Sequence, residues 1–121
     1  MKKFNYGSMK WKKKREKILR KDGYKCVVAG WFGRTEEASI VHHIYPAELY
    51  PEYAFCDWNL ISVSMATHNK LENRNTRELT KLGEWLKEKT VPKKDWRHPP
   101  QYKILKAKKG LMGEGSIFQL C

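Results

Sequence analysis

The sequence predicts an α+β fold. A strand–loop–strand–helix core is preceded by a basic helix and followed by another helix and an extended C-terminal arm. Three observations carry this. An alternating, β-branched run, ASIVHHIY, ends in the tandem His42-His43 and is stopped by Pro46. A second alternating run, LISVS, follows Asn59, and from Met65 the pattern turns helical with His68 in its first turn. The 121 residues suit one domain with a tail, here a domain over 1–90 and a basic arm over 91–121.

Residues 1–7 are a loose lead-in. Ser8 stands where it can cap a helix running to about Asp22, with Gly23 as its stop. Trp11, Ile18 and Leu19 form its apolar stripe. Lys10, Lys12, Lys13, Lys14, Arg15, Lys17, Arg20 and Lys21 cover its other faces, against Glu16 and Asp22 as the acids. Tyr24 to Trp31 (YKCVVAGW) reads as a short strand, with a turn at Gly30, Gly33 and Arg34-Thr35. The first core strand is expected over Ala38 to Tyr45. Residues 47–58 form an aromatic loop with Tyr50, Tyr53, Phe55 and Trp58, rings read as loop packing ahead of base stacking. The second strand spans Leu60 to Ser64, and a helix runs from Met65 to about Asn73. Asn75 is expected to cap a further helix in a capping box with Glu78, with Leu79, Leu82 and Leu86 as its buried stripe. Beyond Lys89, Pro92, Pro99 and Pro100 break helices, lysines recur to Lys109, and glycines follow.

The bulk numbers narrow the function. Lys and Arg number 25 against 13 acids, a net charge of +12, which implies an anionic partner. No run approaches the ~18 apolar residues of a membrane span, and no apolar segment follows the Lys-rich N-terminus as in a signal peptide. Cys26, Cys56 and Cys121 are odd in number, and none forms a C-x-x-C pair. That argues against a disulfide framework and a four-cysteine zinc site, and for a cytoplasmic protein.

The chemistry-bearing residues are concentrated. His42, His43, Asn59 and His68 fall within 27 residues. Hydrolysis of a phosphodiester needs a base for water and a cation for the oxygens that carry or develop charge. Neighbouring strand residues point to opposite faces, so two adjacent histidines serve one site only where the strand ends or bends. One imidazole is then available to a metal while the other is free as a base, because neutral imidazole accepts protons near neutral pH. His68 is placed to face the same metal, and an amide at Asn59 can tie the 46–58 loop back to the first strand. Asn69 and Glu72, close to His68, are further candidates to reach the metal directly or through water. Lys12, Lys13, Arg15, Lys70 and Arg74 are candidate nucleic-acid contacts. His98, between Arg97 and Pro99, has no partner in the pattern.

Four blocks, WKKKREKILRKDGYKC, ASIVHHIYP, WNLISV and THNKLENR, run from about Trp11 to Arg74. Together they resemble the HNH endonuclease family, with its ββα-metal core, and within it the small free-standing proteins of bacteriophages. The resemblance implies His43 as general base, His42 and His68 as metal ligands, and Asn59 as the structural asparagine of a catalytic set His43, Asn59 and His68. It implies cleavage of double-stranded DNA with one divalent cation, leaving 5′-phosphate and 3′-hydroxyl ends. Mg²⁺ or Mn²⁺ is expected, and two imidazole ligands also admit Ni²⁺, Co²⁺ or Zn²⁺. A phage origin would imply the host cytoplasm and work beside the terminase in DNA packaging. There is one departure. Many relatives bind a structural zinc through two C-x-x-C pairs, and the corresponding positions here are Cys26, Ala29, Ser64 and Thr67. With one thiol of four, no structural zinc is expected, and apolar packing around Cys26, Val28 and Met65 is expected to replace it. The alternative to an enzyme is a catalytically inactive basic DNA-binding module on the same scaffold. A toxin-like effector is a third reading, disfavoured by the lack of a delivery domain.

Overall fold

A computed structural model of the chain describes residues 3–97. The first helix, α1, spans Met9–Lys21. The Ser8 hydroxyl accepts from the Trp11 N–H at 3.1 Å, and the chain leaves the helix through Gly23 at φ +65°, a left-handed conformation that glycine adopts without strain. A short helix α2 spans Val27–Trp31. Strands β1 (Ile40–His43) and β2 (Leu60–Val63) pair antiparallel, with Ile40 opposite Val63 and His43 opposite Leu60. Helix α3 spans Met65–Leu71, capped by the Ser64 hydroxyl, and α4 spans Lys81–Lys89, capped by Thr80. The mixed helix and strand content, with β1, β2 and α3 in succession, is the expected α+β, ββα arrangement.

A two-stranded ribbon is marginal alone in water, so both of its faces must be covered. Alternation along β1 and β2 divides the apolar side chains. Val41 and Leu60 pack under α1 with Trp11, Ile18, Leu19 and Ala38. Ile44, Ile61 and Val63 pack on the other face with Ala29, Leu71, Leu86 and Trp96. The sheet is thus held between α1 and the group α2, α3 and α4.

Several expectations are corrected. The segment 24–31 is not a strand: Lys25 makes one isolated bridge to Glu37, and the chain then turns into α2. The Cys26 sulfur accepts from the Ala29 N–H at 3.5 Å and so caps that helix. No helix starts at Asn75. The Asn73 side chain accepts from the Asn75 and Thr76 N–H groups, holding a turn there. The helix begins only after Thr80, and Leu82, in its first turn, is exposed rather than part of a buried stripe. Met65 is also exposed, at the first turn of α3, and does not pack on Cys26. Thr67 does: the Cys26 thiol donates to its hydroxyl at 3.6 Å. Cys26 is free and buried.

The arm expected from Val91 packs against the body as far as Arg97. Trp96 is buried, with its ring 4.4 Å from Trp31 and its indole N–H donating to Thr90. Arg97 donates to both Asp22 carboxylate oxygens and to the Leu60 carbonyl. The rest of the arm, with His98 and Cys121, lies outside the described residues. Among the described residues, no helix is long and apolar enough to cross a membrane.

Candidate active site

Strand alternation sends the two adjacent histidines in opposite directions. His42 lies on the α3 side, its ring 5.4 Å from that of His68. His43 lies on the α1 side, stacked on the Trp11 indole at 4.8 Å and meeting Phe4 edge-on. β1 ends at His43. A cleft of about 770 Å³ is lined by Ser39, Ile40 and Val41, and so runs along the unpaired edge of β1. His43, His68 and Glu72 also line it.

On the α3 side, His42, His68 and Glu72 each offer one ligand atom, and these atoms lie within 4.8 Å of one another. One turn of helix separates His68 from Glu72, which puts both on the same face. The His68 Nε2 is 3.2 Å from the Glu72 Oε1, and the His42 Nδ1 is 3.8 Å from the same oxygen. His42 is fully buried, and neither of its ring nitrogens has a hydrogen-bond partner. Unpaired buried polar atoms are costly. Burial, with the charges of His68 and His43 adding to it, pushes the His42 imidazole down to about 3. It is therefore neutral at physiological pH, the form that ligates a metal. Two imidazoles and a carboxylate are a donor set that fits a divalent transition ion, and one of the two orphaned His42 nitrogens would gain a partner from it.

The His43 Nε2 is 3.0 Å from the Ala54 carbonyl. A carbonyl only accepts, so Nε2 carries the proton, and Nδ1 is left with the lone pair. Burial pushes His43 down to about 4, against the raising effect of the Ala54 carbonyl and the Glu72 charge. Asn59 holds the loop that supplies this carbonyl. Its side-chain oxygen accepts from the Tyr45 N–H, and its amide donates to the carbonyls of Tyr45 and Tyr53. Tyr53 precedes Ala54, so the clamp fixes the group that orients His43.

Of the expected nucleic-acid contacts, Lys12, Arg15 and Arg74 line the cleft, while Lys13 and Lys70 are exposed outside it. Lys14 and Lys21 are held by Asp57 and turned to a structural use. Asn69 is exposed and stands apart from the metal-capable group, which Glu72 completes. Trp11 and Arg77 also line the cleft, and their part in it follows from tertiary packing rather than from any motif. The rings at 45–58 pack on one another, Tyr50 on Tyr53 and Tyr53 on Trp58. Of Cys26, Ala29, Ser64 and Thr67, Cys26 and Thr67 meet through their side chains, and a thiol with a hydroxyl is not a tetrahedral zinc donor set.

No protein-family model and no curated protein matches the chain. Among solved structures, it is similar to the HNH endonuclease of the deep-sea thermophilic bacteriophage GVE2, crystallised with manganese ion. The two are 33% identical, with a TM-score of 0.52, over 53% of this chain and 70% of the other.

Proposed function

Because the chain belongs to the HNH endonuclease family, we propose that it is a metal-dependent endonuclease that hydrolyses DNA phosphodiester bonds, with His43 as the general base. The observation that carries this reading is the division of labour across β1. A metal-capable group, His42, His68 and Glu72, lies on one side, and an imidazole with a free lone pair lies on the other, against a shared cleft. His42, His68 and Glu72 would hold one divalent cation. Such an ion, when bound, stabilises charge on the phosphoryl and leaving oxygens. His43 Nδ1 takes the proton of a water molecule as the water oxygen bonds to phosphorus. The bond from phosphorus to the 3′ oxygen breaks, leaving a 5′-phosphate and a 3′-hydroxyl. As His43 becomes an imidazolium, the Ala54 carbonyl and the Trp11 ring face stabilise its charge and hold its orientation. Lys12, Arg15 and Arg74 supply positive charge along the cleft for the DNA backbone. Manganese in the phage relative supports Mn²⁺ as the first ion to try. A place beside the terminase is an analogy drawn from the phage resemblance alone.

The test is conversion of supercoiled plasmid to nicked or linear forms with Mn²⁺ or Mg²⁺, against the same protein in EDTA. Metal-dependent conversion is expected. DNA binding without cleavage in any of Mg²⁺, Mn²⁺, Ni²⁺, Co²⁺ or Zn²⁺ would instead leave the inactive DNA-binding module.

A further inference from the structure

Directly after Glu72 the chain forms a tight hairpin, closed by a bridge between Glu72 and Leu79 and by hydrogen bonds between Asn73 and both Arg77 and Glu78. At its turn Arg77 has φ +67°, in the left-handed region. A non-glycine residue there costs about 1–3 kcal/mol and persists only where the surroundings hold it. Glycine would hold the same turn without that cost. Arg77 lines the cleft that His43 also lines, with its guanidinium 5.6 Å from the centre of the Tyr6 ring. No carboxylate among the described residues forms an ion pair with it. Lys12 and Arg15, on α1, line the same cleft. A cation seated on an aromatic platform, unpaired among the described residues and linked to a metal-capable carboxylate by a short hydrogen-bonded hairpin, has the features of a preorganised phosphate contact.

We propose that Arg77, presented by the left-handed turn and steadied by Tyr6, binds a backbone phosphate of the DNA in the cleft, beside the one being cleaved. This rests on the endonuclease reading and adds a substrate contact to it.

The test is Arg77→Gly in the full chain, which removes the guanidinium and relieves the turn. Binding of a short duplex is measured in EDTA across 50–200 mM salt, beside melting temperature and Mn²⁺ affinity. One phosphate contact contributes about 0.9 to the slope of log affinity against log salt. The variant is therefore expected to show a slope shallower by about that amount and binding weaker by roughly tenfold at 0.1 M salt. Its melting temperature should be unchanged or higher, and its Mn²⁺ affinity unchanged. Arg77→Lys, which keeps the charge, should recover most of the slope. Unchanged slope and affinity in Arg77→Gly, with wild type binding and cutting, would overturn the Arg77 assignment alone. A drop in melting temperature together with loss of Mn²⁺ binding would also overturn it, by making Arg77 a structural residue of the hairpin. A wild-type protein that neither binds nor cuts DNA would sink the endonuclease reading itself.

Discussion

His42 and His43 show how burial sets protonation one residue at a time. Desolvation dominates in both, and it outweighs the Glu72 charge that favours protonation of His43. An unfolded histidine titrates near ~6.5, while these two titrate at about 3 and about 4 when folded. Between those values and 6.5, the unfolded chain binds more protons than the folded one. Stability is therefore intact above 6.5 and falls as pH drops toward the folded values. By pH 5 the loss is roughly 2 kcal/mol per histidine. Thermal melts in chelator should fall by only about a few degrees from pH 7.5 to 6.5, then drop by on the order of 10 °C or more by pH 5. A flat profile would mean that the imidazoles are less buried than described. The order His42-His43, Asn59, His68 was legible in the sequence, because it depends on residue type and spacing. The place of Glu72 was only half legible, since an acid one turn after a histidine is common on any helix. Arg77 was not legible, because its place in the cleft depends on a left-handed turn that no local pattern announces.

At the scale of elements, α3 and α4 meet closely where the site is anchored. A Cβ on Gly83 would stand 2.1 Å from the Leu71 carbonyl oxygen, a backbone atom that cannot swing aside. Leu71 is the residue before Glu72, so pushing α4 away disturbs the end of α3 that carries the carboxylate. Alanine favours a helix interior over glycine by about 1 kcal/mol, but a clash of this size costs more, roughly 2–3 kcal/mol. Gly83→Ala should therefore lower the denaturant midpoint and weaken Mn²⁺ binding. A higher midpoint would show that the two helices are not in this contact. The helices that sequence patterns located well, α1 and α3, have hydroxyl caps at Ser8 and Ser64. The misread segments failed for physical reasons. Val27 and Val28 favour a strand by propensity, but the Cys26 cap and packing on β2 turn them into α2. The apparent capping box at Asn75 lost to the turn held by Asn73, which delays α4 to Thr80.

Over the whole molecule, the packed body extends past the boundary that composition suggested. The prolines and lysines after Lys89 read as an arm, yet Trp96 and Arg97 return to close the core and bind Asp22 at the end of α1. Composition could not reveal this, because one buried tryptophan in a polar stretch leaves no periodicity. A chain ending at Lys89 loses both residues and should be destabilised by roughly 3–5 kcal/mol, the scale of removing a buried tryptophan. A chain ending at Arg97 keeps both residues and should melt well above the one ending at Lys89. Equal melting of both shortened chains would show that the 91–97 packing contributes nothing.

In the proposed mechanism the cation and the proton are handled on opposite sides of β1. Calorimetric Mn²⁺ titration of His43→Ala and His68→Ala, read beside their cleavage rates on one duplex, tests it most directly. His43→Ala is expected to bind Mn²⁺ as wild type does while cleavage falls by roughly 10²–10⁴. His68→Ala is expected to lose Mn²⁺ affinity, with part of its activity returning at high metal concentration. The account is contradicted if His43→Ala loses the metal while His68→Ala keeps it, or if neither variant cuts more slowly.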